Sequence, residues 1–325
     1  MGMLHPAGLP AQLRSLERTL VMGVVNVTPD SFSDGGRWFT PREALSQARR
    51  LLDEGADLID VGGESTRPGA ERVTSEQEID RVLPVIEELV SQGAHVSIDT
   101  MRSNVAREAV KRGATVINDV SGGLADPAMA EVAAETGVTY VAMHWRAHSK
   151  EMDKRDQYDD VVLDVSRELG QRITALTAAG VQREQIVLDP GLGFAKAGTN
   201  NWPLLAHLDV LQNHGLPVMV GASRKRFLGH LLARDASEVV PPSGRDAATH
   251  AVSALMAAAG VWCVRVHEVQ GSLDAVRVGA ALRAARAERP GAALADADQS
   301  ARPDQSTRAD KSARASGTDS AVRGE

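Results

Sequence analysis

Polar and charged side chains in this sequence recur at one kind of position, at or just after the end of a short apolar run. Asn26 follows the run at residues 20–25, and Asp99 follows the run at residues 96–98. Later runs lead to Asn118, Asp189, Lys225, Arg265 and His267. Short apolar runs rich in β-branched residues are typical of buried strands. These side chains are therefore expected together, at one end of a sheet.

The set divides into two chemical groups. The carboxylates and the carboxamide can donate to and accept from a flat heterocycle with an amino-amide edge, and a carboxylate facing two parallel N–H groups forms a strong, charge-assisted pair. The cations are donors suited to phosphate oxygens or a carbonyl. An oxygen ligand such as Asn26 beside Arg265 and His267 suits Mg²⁺ bridging a diphosphate, because Mg²⁺ takes few protein ligands.

Each residue also has a simpler interpretation. Asp189 stands before a Pro-Gly pair and fits an Asx turn. Asn118 fits a helix cap, and Lys225 fits an ordinary solvated basic face. His144, next to Trp145, is interpreted as a core or rim residue rather than a ligand.

The elements that must position these residues follow one repeated pattern. A helix-like segment, a glycine and a short apolar run recur along the chain, and the glycine suits the left-handed residue that ends a helix. With the opening run, this gives eight strands alternating with eight amphipathic helices. We predict an α/β fold, a single (β/α)8 TIM barrel at residues 15–287, with chemistry at the C-terminal ends of its strands. A doubly wound open sheet is the alternative, but residues 26–29, NVTP, are not its usual Gly-rich phosphate loop.

The two ends of the chain differ from this pattern. From residue 288 to residue 325 there are almost no large apolar side chains, which predicts a disordered tail. Residues 1–14, with prolines at positions 6 and 10, are predicted to be a flexible N-terminus.

The overall composition limits the classes of function, partner and location that the sequence allows. A formal net charge of -7 argues against a nucleic-acid partner. Cys263 is the one cysteine, which excludes an intrachain disulfide and is interpreted as a small buried hydrophobe. A reducing, cytoplasmic location fits this. No stretch is apolar enough to predict a membrane span or an export signal.

Seven motifs carry a family resemblance: GVVNVTPDSFSDGG, IDVGGESTRPGA, SIDT, INDVSGG, LDPGLGFAK, GASRK and VRVHEV. In this order, from about residue 21 to about residue 278, they closely resemble the dihydropteroate synthases of folate biosynthesis. The resemblance implies condensation of 6-hydroxymethyl-7,8-dihydropterin diphosphate with 4-aminobenzoate, which yields dihydropteroate and diphosphate. It also implies Mg²⁺ as cofactor, no nucleic-acid or membrane partner, and a homodimer in which Ala281 and Leu282 could lie at the interface.

The resemblance further implies roles for residues on the strands. The pterin pocket is expected to contain Asp99, Asn118, Asp189 and Lys225. Asn26 matches the metal ligand, and Arg265 with His267 matches the diphosphate-binding pair. Asp99 and Lys225 are expected to be catalytic. Asp99 would stabilise positive charge on the pterin as the C–O bond to diphosphate breaks.

Two loops complete the expected site. Thr66 matches a substrate-contacting residue, and Phe32, Arg67 and Pro68 fall where family members form the 4-aminobenzoate pocket. Asp34 is expected to be catalytic by helping to order the closed state of the first loop.

Some residues depart from the family pattern, and two other functions stay open. The departures are Trp145, Arg226 and Glu268, and Arg226 leaves the shape of the 4-aminobenzoate carboxylate site undetermined. A pterin-dependent methyltransferase on a similar barrel is one alternative, and a catalytically silent pterin-binding relative is the other. The first would not need both loops, and the second would be expected to lose Asn26 or Arg265.

Overall fold

A computed structural model gives the fold and describes residues 3–28, 41–64, 72–147, 155–196, 198–235 and 238–288. The strands are β1 (Leu20–Asn26), β2 (Leu58–Gly62), β3 (Val96–Asp99), β4 (Val116–Asp119), β5 (Thr139–Met143), β6 (Ile186–Asp189), β7 (Met219–Val220) and β8 (Cys263–Val266). The α-helices are α1 (Ala11–Arg14), α2 (Pro41–Asp53), α3 (Ser75–Ser91), α4 (Ser103–Lys111), α5 (Met129–Thr136), α6 (Val161–Ala178), α7 (Asn201–Ala206), α8 (Leu208–Gln212), α9 (Arg226–Leu232), α10 (Asp246–Ala258) and α11 (Gln270–Glu288).

All eight strands are parallel and lie in the order β6-β5-β4-β3-β2-β1-β8-β7. A parallel bridge between Leu188 and Val218 joins β6 to the start of β7, and the amide of Leu188 donates to the carbonyl of Pro217 (2.9 Å). The sheet therefore closes into a barrel with helices between successive strands. This confirms the predicted (β/α)8 barrel over the open, doubly wound sheet.

Local sequence signals set several helix ends. Thr74 and Gln77 form a capping box at the start of α3, in which each side chain accepts from the backbone amide of the other. Asp160 begins α6 by accepting from two amides of its first turn. Gly137 ends α5 with a φ of 67°, a left-handed conformation that glycine adopts without strain. These ends fix where the neighbouring strands begin and end.

The N-terminal end of the barrel interior is apolar. One core cluster contains alternate strand residues, including Leu20, Met22, Leu58, Val116, Val141, Val187, Met219 and Cys263. The residues between them belong to a second cluster that also contains the helix side chains. Because side chains alternate across a strand, the first cluster faces the barrel interior; we call it the lower layer. Burial raises the pKa of the Cys263 thiol, which fits its interpretation as a small hydrophobe.

The N-terminal segment corrects one prediction. Residues 1–14 were expected to be flexible, but the described part contains α1, and Leu9 and Leu13 are only 4% and 3% exposed in the lower layer. The hydroxyl of Thr139 also donates to the carbonyl of Ala7 (2.9 Å). Leu9 stands between Gly8 and Pro10, and two leucines four residues apart are too weak a periodic signal to predict this packing from sequence.

Two helices also differ from the expected pattern. One helix is expected between β6 and β7, but the structure has two there, α7 and α8, separated at His207, whose φ of -120° and ψ of 44° are not helical. Helix α9 directly follows the SRK motif and was not predicted. Neither difference changes the order of the strands.

By its internal packing the chain divides into Met1–Ala285, which contains the barrel, and Arg286–Glu325. Of the second unit, only the residues up to Glu288, where α11 ends, are described. The predicted disordered tail at residues 288–325 therefore stays a prediction. Within the described ranges, no helix is long and apolar enough to cross a membrane.

Candidate active site

A polar layer lies above the lower layer, on the same inward face of the strands. Residues two apart on a strand share a face, so Asn118 follows Val116 and Arg265 follows Cys263. By the same spacing, Asp60 follows Leu58 and Asp189 follows Val187. We call the inward-facing set Asp60, Asp99, Asn118, Asp189 and Arg265 the upper layer. The barrel thus gathers four residues that the sequence singled out, together with one that it did not.

Arg265 joins two carboxylates of the upper layer. Its Nε donates to Asp60 Oδ2 (2.6 Å), and its Nη2 donates to Asp99 Oδ2 (2.7 Å). Although burial opposes it, the two carboxylates raise the pKa of Arg265. Nη1 is the nitrogen that neither bond uses, and 21% of the side chain is exposed. The guanidinium is therefore fixed in direction while part of the side chain stays exposed.

Asp60 is the residue of this layer that the sequence analysis did not single out. It is fully buried, and its Oδ2 also accepts from Asn118 Nδ2 (3.0 Å). Its Oδ1 is buried with no hydrogen-bond partner among the described residues. A carboxylate inside the otherwise apolar run LIDVG was the available signal, because a buried charge needs a partner. Asp60 orients both Arg265 and Asn118.

The charge balance of the upper layer favours a cationic ligand. Burial raises the pKa of Asp99 to about 7, while Arg265 opposes this rise and the negative charge of Asp60 adds to it. One guanidinium therefore serves two buried carboxylates. A positive charge arriving near Asp99 would stabilise its ionised form, because an opposite charge at short range favours ionisation.

Asn26 and Asp99 face each other across a glycine. Asn26 pairs with Gly62 of β2, and Gly62 pairs with Asp99 of β3. A β-carbon at Gly62 would lie 3.4 Å from Asn26 Oδ1 and 3.6 Å from Asp99 Oδ2. Two side-chain oxygens therefore border the space left by this glycine. Oxygen ligands are what Mg²⁺ prefers, so the residues present fit a magnesium ion here.

Asp189 serves two purposes. Its Oδ1 accepts from the amide of Gly191 (2.7 Å), as in the Asx turn that the sequence left open. Its Oδ2 lies on the inward side, 4.0 Å from where a β-carbon of Gly221 would be. Burial raises the pKa of Asp189, and the charge of Lys225 opposes that rise. One oxygen shapes the turn after β6, and the other faces the barrel interior.

Lys225 is held against that same turn. Its ammonium donates to the carbonyl of Leu192 and lies 4.5 Å from the centroid of the Phe194 ring. Burial lowers the pKa of Lys225 to about 8, and the charge of Asp189 opposes this. The alternative of an ordinary solvated basic face therefore does not describe this side chain.

His267 stands just past the end of β8, on the strand next to β1, which carries Asn26. Its amide donates to Ser223 Oγ (3.1 Å), and its Nδ1 lies 3.0 Å from the same oxygen. The serine of the SRK motif therefore orients the imidazole.

Asn118 and its neighbour Asp119 have different roles. Asn118 faces Asp60 in the barrel interior, whereas Asp119 faces the opposite side of β4. There the carboxylate of Asp119 accepts from the amide and hydroxyl of Ser121 and from the hydroxyl of Tyr140 (2.8, 2.7 and 2.8 Å). The helix cap suggested for Asn118 is therefore wrong. Asp119 holds the turn that directly follows β4, whereas α5 begins only at Met129 and has no side-chain cap. The alternation of the strand separates Asn118 from Asp119.

The predicted site residues of the two loops fall between the described ranges 3–28, 41–64 and 72–147. Asp34, Phe32, Thr66, Arg67 and Pro68 lie outside the described residues. Their predicted roles stay predictions.

A second polar cluster lies beside the turn after β6, and sequence reasoning missed it. Lys196 Nζ is 2.8 Å from His144 Nδ1, and His144 Nε2 is 2.9 Å from Glu168 Oε2. Lys196 and His144 are only 3% and 2% exposed. His144 is buried as expected, but both of its ring nitrogens have partners. The contacts join residues 52 and 24 positions apart, so no local pattern reveals them.

Comparison with known proteins identifies the family to which this barrel belongs. The family model described as pterin binding enzyme matches residues 22–267, from β1 to the histidine after β8. This chain belongs to the pterin binding enzyme family. The match contains the whole upper layer, together with Asn26, Lys225 and His267.

Relatives of this pterin binding enzyme are similar over most of their length. The dihydropteroate synthase of Mycobacterium leprae is 52% identical over 265 residues, which cover 81% of this chain and 93% of the relative. The structure of Xanthomonas albilineans dihydropteroate synthase with 4-aminobenzoic acid has a TM-score of 0.75 at 45% identity, covering 82% of this chain and 94% of that one. The same enzyme in complex with 7,8-dihydropteroate has a TM-score of 0.73 at 42% identity, covering 83% and 95%.

Proposed function

We propose that this protein catalyses the dihydropteroate synthase reaction, the transfer of a dihydropterin methylene group from diphosphate to the amine of 4-aminobenzoate. The upper layer carries the proposal, since its carboxylates and carboxamide suit a heterocycle with an amino-amide edge. The similarity to synthases solved with 4-aminobenzoic acid and with 7,8-dihydropteroate supports the same two substrates.

The pterin is proposed to lie on the upper layer. The inward oxygen of Asp189 would accept from adjacent N–H groups of the ring, a charge-assisted contact. Asn118 can donate and accept, and Asp60 fixes its direction through the 3.0 Å bond to Nδ2. Lys225, held against the turn after Asp189, would donate to a ring carbonyl or nitrogen.

The reaction is proposed to proceed by loss of diphosphate with carbocation character. As the C–O bond breaks, its electron pair leaves with the diphosphate and positive charge spreads over the reduced ring. Asp99, whose ionised form a nearby cation favours, stabilises that charge electrostatically. Arg265 and His267 would bind the departing oxygens. Mg²⁺ bound at Asn26 would neutralise part of the diphosphate charge.

The arylamine nitrogen then forms the C–N bond by attack on the carbocation and loses a proton to the departing diphosphate. No covalent bond to the enzyme is required. We propose that Phe32, Arg67 and Pro68 form the 4-aminobenzoate pocket. Thr66 is proposed to contact substrate, and Asp34 is proposed to order the closed first loop. Exclusion of water by the closed loops would prevent capture of the cation by solvent.

An assay of diphosphate release tests this function. The purified protein is given the pterin diphosphate and Mg²⁺, with and without 4-aminobenzoate, and both diphosphate and coupled product are measured. We expect Mg²⁺-dependent formation of dihydropteroate in step with diphosphate. Release of diphosphate with no coupled product in the presence of 4-aminobenzoate would refute the synthase assignment while supporting diphosphate loss.

The same assay distinguishes the two alternatives. A silent pterin-binding relative would bind pterin and release nothing. A pterin-dependent methyltransferase would also form no dihydropteroate, and it would need a methylated pterin and a corrinoid acceptor. Asn26 and Arg265, which a silent relative would be expected to lose, stand at the ends of β1 and β8 with the contacts described above.

We also propose a homodimer. Exposed apolar side chains on helices α9, α10 and α11 support an interface there: Leu231, Leu255, Val278 and Leu282 are 61%, 64%, 65% and 46% exposed. Light scattering with size-exclusion chromatography would give twice the monomer mass of 34.5 kDa for the wild type. Leu255→Glu would shift it towards the monomer. The cytoplasmic location stays a prediction.

A further inference from the structure

The turn between β6 and α7 is held by side chains rather than by a regular backbone pattern. It contains three left-handed residues, Gly191, Gly193 and Ala195, with φ of 66°, 75° and 47°. An alanine in this region is unfavourable, because its β-carbon approaches its own backbone. Such a conformation persists only where surrounding contacts determine it.

Lys196 supplies the largest set of those contacts. Its Nζ lies 3.1 Å from the carbonyl oxygen of Gly191, 2.9 Å from that of Phe194 and 2.8 Å from His144 Nδ1. An ammonium has three N–H donors and no acceptor. The three acceptors therefore match the three protons of the charged form, even though the side chain is almost completely buried.

Other side chains donate to three more carbonyls at this turn. Tyr158 donates to the carbonyl of Ala195 (2.9 Å), and Asn201 donates to that of Lys196 (2.9 Å). The carbonyl of Leu192 accepts from Lys225. Two lysines therefore donate to carbonyls of this turn: Lys196, and Lys225 of the proposed pterin pocket.

We propose that Lys196 is a positioning residue for the pterin pocket, because it holds the turn of residues 191–195 in the shape against which Lys225 rests. This inference rests on the proposed function. Lys196 does not reach the substrate itself. It acts through the Leu192 carbonyl and the Phe194 ring, the two groups that fix the Lys225 ammonium.

His144 and Glu168 support the charged form of Lys196. Because Lys196 donates to Nδ1, the other nitrogen of His144 carries the proton and donates to Glu168 Oε2 (2.9 Å). Burial, and then the charge of Lys196, lower the pKa of His144 to about 4, so the imidazole is neutral. A neutral imidazole between an ammonium and a carboxylate passes the stabilisation from one to the other without adding a charge.

The charge on Lys196 is finely balanced. Burial lowers its pKa to about 7, the charge of Lys225 lowers it further, and Asp189 opposes these effects. The charged and titratable groups facing it from the surrounding elements are His144 and Arg146 after β5, Glu168 on α6, Asp189 on β6 and Lys225 before α9. Removing the charge of Glu168 should therefore make Lys196 lose its proton at a lower pH.

Calorimetric titration with 6-hydroxymethylpterin, a non-reactive pterin, tests the inference in the full-length protein. Lys196→Met keeps an unbranched side chain up to the ε position but cannot donate. We expect its pterin Kd to rise about 10- to 100-fold, the range for loss of a charged hydrogen-bond donor. The KM for 4-aminobenzoate should change much less. Lys111→Met, at a lysine 61% exposed in its side chain, is the matched control and should leave both unchanged.

A second variant tests the charge of Lys196 through the pH dependence of pterin affinity, which a change in folding alone would not shift. In Glu168→Gln, the loss of pterin affinity with rising pH should begin at a lower pH than in the wild type, whereas Glu88→Gln, on the exposed surface, should not shift it. Ionisation of the pterin affects all variants equally, so it cancels when the Kd of each variant is divided by the Kd of the wild type at the same pH. If Lys196→Met fails to fold, the pH profile of Glu168→Gln still tests the proposed role of Lys196.

The outcomes separate the two proposals. If the wild type does not bind pterin, the proposed function fails. If the wild type binds but folded Lys196→Met binds equally well, or if Glu168→Gln has an unshifted pH profile, the inference about Lys196 is overturned and the function stands. Calorimetric stoichiometry reports the folded fraction, so simple instability lowers stoichiometry and leaves Kd unchanged.

Discussion

The strand-borne upper layer and the turn after β6 hold their charged groups in different ways. In the upper layer, Asp60, Asp99 and Arg265 come from strands whose register fixes their height in the barrel. In the turn, Lys196 and Lys225 donate to backbone carbonyls of a segment that contains three left-handed residues. The first arrangement depends on the sheet, and the second on a few buried hydrogen bonds.

This difference predicts how each region responds to a substitution. A strand-borne charge has fixed neighbours, so a substitution should act mainly through lost charge and leave the backbone in place. A turn held by side chains should instead change shape when one donor is lost. Substitutions in the two regions should therefore differ in how they act.

Arg265→Met should have the largest effect. It leaves Asp60 and Asp99 buried without their shared cation, which typically costs about 3–5 kcal/mol of stability. It also removes a proposed diphosphate ligand, so kcat/KM should fall about 1000-fold or more. Steady-state kinetics and thermal unfolding measure the two effects.

The matched control for Arg265 is Arg18, which pairs with Asp57 through two bonds of 2.7 and 2.8 Å near the start of β1. Arg18→Met should lower stability and leave kcat/KM of the folded enzyme unchanged. Equal kinetic losses in both variants would mean that Arg265 acts only through the fold.

Asp60→Asn should have the next largest effect. The carboxamide has the same shape, but it lacks the negative charge that orients Arg265. It also lacks the charged oxygen that accepts from Asn118. We expect kcat/KM to fall about 10- to 100-fold, as for a lost charged hydrogen bond. An unchanged value would show that Arg265 needs no partner besides Asp99, and so would break the description of the upper layer as a unit.

The pH dependence of pterin affinity tests the turn. The pKa of Lys225 is lowered to about 8, so its ammonium is present below that pH and is lost as the pH rises through it. If that charge binds the pterin, affinity should fall up to about tenfold per pH unit above the pKa. Lys225→Arg, which keeps its charge, should flatten this limb above about pH 8 and leave in place the earlier loss near pH 7, which is expected to follow Lys196. A limb that persists unchanged in this variant would assign it to another group.

Gly62→Ala should have the smallest effect and separates metal binding from the fold. The new methyl group would meet Asn26 Oδ1 and Asp99 Oδ2 at 3.4 and 3.6 Å, ordinary contact distances, so the fold should be retained. It would occupy part of the space between these oxygens. The Mg²⁺ concentration for half-maximal activity should therefore rise, with little change in pterin affinity. An unchanged Mg²⁺ requirement would argue against Asn26 as the ligand.

The same contrast explains how much could be predicted from sequence. The barrel and the inward position of Asp99, Asn118 and Arg265 follow from apolar runs and a period of two. Asp60 carried a weaker signal, a single carboxylate in a dry strand. Each of these depends only on local pattern and on the closure of the sheet.

The turn cluster could not be predicted, because its contacts are made between distant segments. Nothing near Lys196 in the sequence indicates that its ammonium meets His144 and carbonyls of its own turn. The packing of Leu9 and Leu13 into the lower layer was missed for the same reason. Long-range packing places these groups, and a local pattern cannot reveal it.

The most direct test of the central claim, that the upper layer binds the pterin, is calorimetry of Asp189→Asn with 6-hydroxymethylpterin. The carboxamide oxygen can still accept from the amide of Gly191, so the turn is kept while the inward charge is lost. We expect a Kd about 10- to 100-fold higher than that of the wild type, with an unchanged melting temperature. An unchanged Kd in the folded variant would contradict it.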